Sequence, residues 1–203
     1  ILAEIDKLDQ KEHRLLIEGM MLCNDASNED SLTGDPTEIA LLDMGSQVQL
    51  SKKALDQAYP RFDELPFDSD RKLMSTAHHI NGEKIVYTKG ALDCLLEHCD
   101  FAYINHEKVA IDTVLAQISE ASKLMAQKAM RVLALAYHKY QKDAPMESDL
   151  CFIGLVGMID PARTEVKEAI QVAKGAGIRT VMITGDHNYF CMRQPGKQGV
   201  YLF

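Results

Sequence analysis

The sequence predicts an α/β chain: an antiparallel sheet flanked by helices, followed by a shorter α/β unit. Three observations carry this. Apolar residues recur at helical spacing in 9–24, 37–45 and 111–130. Two β-capable runs, 73–80 and 84–88, flank Asn81-Gly82, a pair that tolerates positive φ and so favours a tight hairpin. Near Met158 the pattern changes to strand, helix (164–176), Gly175-x-Gly177, then strand (178–183).

The first helix, 9–24, presents Leu15, Leu16, Met20 and Cys23 on one side. Residues 25–36 are rich in Ser, Asn, Asp and Gly and read as a loop. A second helix begins at Thr37, with Asp35 or Thr37 suited to cap it and Gly45 a natural stop. Ser51 can cap a short helix through Ala58, and Pro60 and Pro66 divide the next stretch into extended segments. After the hairpin, 91–99 reads as a short helix. The 111–130 helix has Val114, Leu115, Ile118, Leu124 and Met125 for its apolar face and Asp112 as a candidate cap. Strands at 131–138 and 150–159 are joined by a polar turn at 142–148. The organisation expected is a domain over 1–157, a second segment over 158–187, and a tail over 188–203 without clear periodicity. No repeat or low-complexity tract occurs.

Composition narrows the function. A chain of 203 residues suits one domain, or one plus a fragment, and 46% hydrophobic content supports a packed core. A net charge of −8 argues against nucleic acid as the main partner. No stretch approaches the roughly 20 apolar residues of a membrane span, and no signal peptide is apparent. Five cysteines without Cys-x-x-Cys spacing read as reduced thiols in a cytosolic setting.

Several residues can carry chemistry, each with a plainer alternative. Lys89, at a strand end before Gly90-Ala91, can point an ammonium at phosphate, with Gly90 allowing close backbone approach; it can equally be an exposed turn lysine. Phe67 can stack on a flat base or fill the core. Arg71 and Lys72 read as solvated, or as paired with Asp68 or Asp70. Glu38, in a first helical turn, suits the helix dipole by itself and can also accept a hydrogen bond from a ligand. Arg131 can reach phosphate or sit at a strand edge. Thr184-Gly185-Asp186, after an apolar strand, suits phosphate and Mg²⁺, whereas Asp160-Pro161-Ala162-Arg163 is satisfied by a helix-start turn. Cys94 and His98 lack a full metal ligand set, and His78 and His79 point to opposite faces of a strand.

In order, Gly34-Asp35-Pro36-Thr37-Glu38, Phe67-Asp68-Ser69-Asp70-Arg71-Lys72, Lys89-Gly90-Ala91, and Asp160-Pro161-Ala162-Arg163 leading to Thr184-Gly185-Asp186 resemble the cytoplasmic nucleotide-binding region of type II P-type cation-transporting ATPases. This is the group of Ca²⁺ and related pumps, and the resemblance covers most of 13–187. It implies that Phe67 stacks on adenine, Lys89 lies deep in the pocket, Glu38 contacts the adenine side and Arg131 reaches phosphate. It places Arg71, Gly90 and Gly185 in the same nucleotide-binding set. Asp160, Thr184 and Asp186 would belong to a partial phosphorylation domain of haloacid-dehalogenase-like fold, acting around the γ-phosphate and Mg²⁺.

There are departures. Leu92-Asp93 stands where Pro-Glu is usual, Ser69 where many relatives carry arginine, and 188–203 does not look like the expected helix. No Asp-Lys-Thr-Gly-Thr motif occurs. The expectation is therefore a monomeric, ATP-binding, cytoplasmic piece of a bacterial plasma-membrane pump. It would present ATP with its Mg²⁺ to an aspartate elsewhere, beside the remaining phosphorylation, actuator and transmembrane domains, and would not turn over ATP alone. The rival readings are a haloacid-dehalogenase-type phosphatase and a nucleotide-independent interaction module.

Overall fold

The computed structural model describes residues 3–4, 10–27, 31, 33–159, 164–179 and 200–202. Its helices are α1 (Gln10–Leu22), α2 (Pro36–Gln47), α3 (Lys52–Ala58), α4 (Leu92–Leu96), α5 (Leu115–Gln127) and α6 (Thr164–Gly175). Its strands are β1 (Ala3–Glu4), β2 (Arg61–Asp68), β3 (Leu73–Ile80), β4 (Glu83–Gly90), β5 (Cys99–Ile104), β6 (Glu107–Ala110), β7 (Arg131–Lys139), β8 (Leu150–Met158) and β9 (Val200–Leu202). They form one sheet in the order β1-β9-β8-β7-β4-β3-β2, with β5 joined to β6 and β8. Among the described residues all pairings are antiparallel except β5 with β8, which is parallel. The expected antiparallel sheet is thus present with one parallel junction.

Strand alternation gives this sheet two apolar faces, and helices cover both. On one face, Ile17, Met20 and Met21 of α1 and Leu41 and Leu42 of α2 pack with Met74, Tyr87, Leu135 and Val156. On the other, Leu95 of α4 and Ile118 and Met125 of α5 pack with Leu73, Ala134, Phe152 and Leu155. The β3–β4 hairpin closes through Asn81 (φ 49) and Gly82 (φ 84), which have the positive φ angles that a two-residue turn with matching twist needs.

Several local expectations change. Helix α2 runs past Gly45 to Gln47: Gly45 is buried where a Cβ would lie 2.0 Å from the Met21 sulfur, so it is a packing position rather than a stop. Asp112 lies inside a 3₁₀ turn, Ile111–Thr113, and does not cap α5, whose first residue follows Val114. Pro66 does not end its segment, because β2 is an edge strand with a register shift between Leu65 and Asp68, where a missing N–H is tolerated. The helix expected over 91–99 ends at Leu96, since Cys99 already belongs to β5. Sequence reading passed over the β5–β6 hairpin, whose turn residues Asn105 (φ 50) and His106 (φ 66) lack the glycine that marks Asn81-Gly82. The tail contributes β9, paired with β8. Among the described residues no helix is long and apolar enough to cross a membrane.

Candidate functional site

Register brings the motif residues to one end of the sheet. Asp68 pairs with Leu73, Leu73 with Gly90, and Gly90 with Ala134. Phe67, Lys89 and the start of β7 at Arg131 therefore lie toward the same end of the strands, although they are far apart in sequence. The first turn of α2 meets them there. Asp35 caps this helix by accepting from the Thr37 N–H at 2.8 Å. Hydrogen bonding from Thr37, and further the Arg131 charge, hold the Asp35 carboxyl below its usual range.

Two cationic side chains are tied to that helix turn. Lys89 Nζ donates to Glu38 Oε1 at 2.5 Å, in a pair whose side chains are 8% and 17% exposed. Arg131 Nη1 donates to the Thr37 hydroxyl at 2.7 Å. Behind Glu38, buried Asn24 donates to the Glu38 carbonyl at 2.9 Å and accepts from the Ala26 N–H at 2.8 Å. Arg61 clamps the same loop through Asp25 Oδ1 at 2.7 Å and the Asn24 carbonyl at 2.9 Å. Neither clamp was legible from spacing, because Arg61 sits 36 residues from Asp25.

Phe67 is 63% exposed, so the core reading of this ring does not hold. It directly precedes a tight turn. Asp68 Oδ1 accepts from the N–H groups of Asp70 and Arg71, both at 2.9 Å, which lowers the Asp68 pKa. Lys72 has φ 56 and donates its N–H to the Asp68 carbonyl at 2.7 Å, while its own carbonyl accepts from the Ala91 N–H at 3.2 Å. The close approach that Gly90 permits is to this turn: a Cβ there would lie 2.2 Å from the Lys72 carbonyl oxygen. Arg71 pairs with neither Asp68 nor Asp70. Their positions in the turn leave its guanidinium facing Glu147, with which it forms an ion pair, and the Pro66 carbonyl, to which it donates at 2.8 Å.

The structure thus joins Glu38, Lys89 and Arg131 around one helix turn, sets Phe67 at the same sheet end, and turns Arg71 to another partner. Asp160, Thr184, Gly185 and Asp186 lie outside the described residues. Among the described residues no group of three or more His, Cys, Asp or Glu side chains gathers as a metal site. His78 is buried with both ring nitrogens bonded. The Tyr59 carbonyl can only accept, so Nδ1 donates to it at 3.0 Å and Nε2 accepts from the Thr76 hydroxyl at 2.9 Å. Burial pushes its pKa down to about 4. His79 is exposed and lies against Phe62, so the two histidines serve different faces.

An exposed aromatic ring beside a mostly buried ammonium and an exposed guanidinium suits a ligand with a flat ring and an anionic tail. Residues 12–165 match the family model for the P-type ATPase cytoplasmic domain N. "Calcium-transporting ATPase 1" of Bacillus cereus is 52% identical over 180 residues, covering 86% of this chain and 20% of that protein. The protein of that name in Lactococcus lactis is 41% identical over 192 residues, 91% of this chain and 22% of that one. "Calcium-transporting ATPase type 2C member 1" of Pongo abelii is 31% identical over 191 residues, 92% and 20%. The chain spans about a fifth of the length of these relatives. With the domain match running through most of its residues, the chain belongs to the P-type ATPase family, as its cytoplasmic N domain.

Proposed function

We propose that this chain binds ATP at the sheet end built from Glu38, Phe67, Lys89, Gly90 and Arg131, and presents the γ-phosphate to an aspartate outside it. The exposed Phe67 ring carries the proposal. Leaving most of a phenylalanine in water forgoes burial worth roughly 1.5–3 kcal/mol, and a stacking base would recover much of it. Lys89 supplies positive charge from a largely desolvated position, and Arg131 can turn from the Thr37 hydroxyl toward phosphate oxygens. Glu38 orients Lys89 and accepts from the adenine side.

In this reading Asp160, Thr184, Gly185 and Asp186 act near the γ-phosphate and its Mg²⁺, in a partial phosphorylation domain. The Mg²⁺ arrives with the nucleotide and neutralises charge during transfer. The longer protein would couple this transfer to cation transport across a bacterial plasma membrane, with the domain on the cytoplasmic side. Calcium is the proposed cation because the relatives carry it in their names. The present chain contains no Asp-Lys-Thr-Gly-Thr motif, so ATP turnover is not expected from it alone.

The test is a titration of the chain with ATP, with and without Mg²⁺, monitored by calorimetry and amide chemical shifts. Phe67→Ala and Lys89→Ala are to be compared with wild type. Saturable binding lost in both variants, with amide spectra otherwise retained, supports the pocket. A folded wild type that does not bind millimolar ATP refutes it.

A further inference from the structure

On the face of the β3–β4 pair opposite Lys89 lies a polar chain that the nucleotide reading leaves without a role. It begins in the connection between β7 and β8, residues 140–149. Met146 in this connection packs with Ala77 and Val86, and its carbonyl accepts from His138 Nε2 at 3.0 Å. The anchored loop places Glu147, with its side chain 11% exposed, beside Arg71. Glu147 Oε1 accepts from the Arg71 guanidinium and from Ser75 Oγ at 2.9 Å. Because the Ser75 hydroxyl proton goes to Glu147, its oxygen accepts from the Thr88 hydroxyl at 2.9 Å. Ser75 and Thr88 are fully buried on adjacent strands. The other arm of Arg71 donates to the carbonyl of Pro66, the residue directly before Phe67.

We infer that Glu147 is a positioning residue for Phe67: through Arg71 it holds the Pro66–Phe67 backbone, so that the exposed ring is presented in one orientation. The inference rests on the nucleotide reading and alters it at one residue, for Arg71 becomes a strut rather than a phosphate ligand. Its planar fork spans a carbonyl and a carboxylate, a geometry that lysine cannot reproduce. A base stacking on a ring already held in place avoids the cost of immobilising it.

Three measurements test this on the whole chain. Glu147→Gln removes the charge and keeps an acceptor for Ser75, which favours an intact fold. It should weaken adenosine and ATP by the same factor, roughly two- to tenfold. Arg71→Met should do likewise, with the double variant little weaker than either single one, since both act through one contact. ATP losing clearly more affinity than adenosine in Arg71→Met would make Arg71 a phosphate ligand and overturn the inference. Unchanged binding in Glu147→Gln would also overturn it. The chain has no tryptophan, so Phe67→Trp gives a single indole emitter when excited beyond the absorption of its tyrosines. Adding Glu147→Gln should lower its fluorescence anisotropy, and no change would count against the strut. That readout needs no ligand, so it remains decisive even if wild type binds no nucleotide and the parent reading fails.

Discussion

Replacing Gly90 by alanine tests whether the Phe67 turn is docked on β4 as the structure has it. Gly90 does not have the positive φ that excludes side chains, so backbone preference is not the issue. Space is. A Cβ would stand 2.2 Å from the Lys72 carbonyl oxygen, 2.8 Å from Leu73 Cδ2 and 3.0 Å from Leu73 Cα. The leucine methyl can rotate away, but the carbonyl is backbone. Lys72 is in a left-handed turn whose N–H is bonded to Asp68 and whose oxygen is bonded to Ala91. Relief requires the whole turn to lift by about 1 Å, which costs roughly 1–3 kcal/mol as overpacking. The Ala91 N–H bond to Lys72 would go with it, adding about 1 kcal/mol. The expected loss is therefore about 2–4 kcal/mol, or roughly 5–15 °C in Tm for a chain of this size. Urea unfolding monitored by circular dichroism measures it. Nucleotide affinity should fall too, because the shift carries Phe67 away from Lys89. A Gly90→Ala protein within about 0.5 kcal/mol of wild type and unchanged in ATP binding would refute the docking argument.

The same geometry sets three other outcomes. His78 has a folded pKa of about 4 against 6.5, so the unfolded chain binds the extra proton between those values; stability is full above pH 6.5 and is lost as pH falls toward 4, by about 2 kcal/mol at pH 5. Comparing urea midpoints at pH 7 and pH 5 for wild type and His78→Gln isolates this contribution, and the variant should lose most of the difference. Lys89→Met strands the Glu38 carboxylate and should cost about 2–3 kcal/mol, below the fully buried case because Glu38 keeps some solvent access, while adding Glu38→Gln should restore much of it in the same unfolding assay. Asp35→Ala removes the α2 cap and should lower stability by about 1 kcal/mol, visible as a drop in thermal midpoint.

How much was legible depends on how local the cause is. Ser51 and Asp35 cap α3 and α2 because a short oxygen-bearing side chain meets the next free N–H groups within its own turn. Asn81-Gly82 sets the β3–β4 register for the same local reason, and the periodic apolar residues of α1 identify its buried side. The ordered motifs were enough to point to the family and to Glu38, Phe67, Lys89 and Arg131. What the sequence by itself determined was therefore the type of most elements, the local turn chemistry and the family, with a set of candidate site residues.

Tertiary structure alone decided which of these residues meet. Phe67 as a core ring or an exposed one, and Arg71 paired with a neighbouring aspartate or with a carboxylate far along the chain, are alternatives that one-dimensional spacing cannot separate. The choice depends on which strand is at the sheet edge and where the 140–149 connection lands. Gly45 read as a stop and proved to be a packing contact, because Met21 lies 24 positions away in sequence and touches it only after α1 and α2 have docked. Likewise Glu147 carries no signal of its own in a polar turn. It gains a role from the Arg71 guanidinium and the buried Ser75–Thr88 hydroxyls, groups brought within hydrogen-bonding distance only by the pairing of β3 with β4 and the return of the chain between β7 and β8.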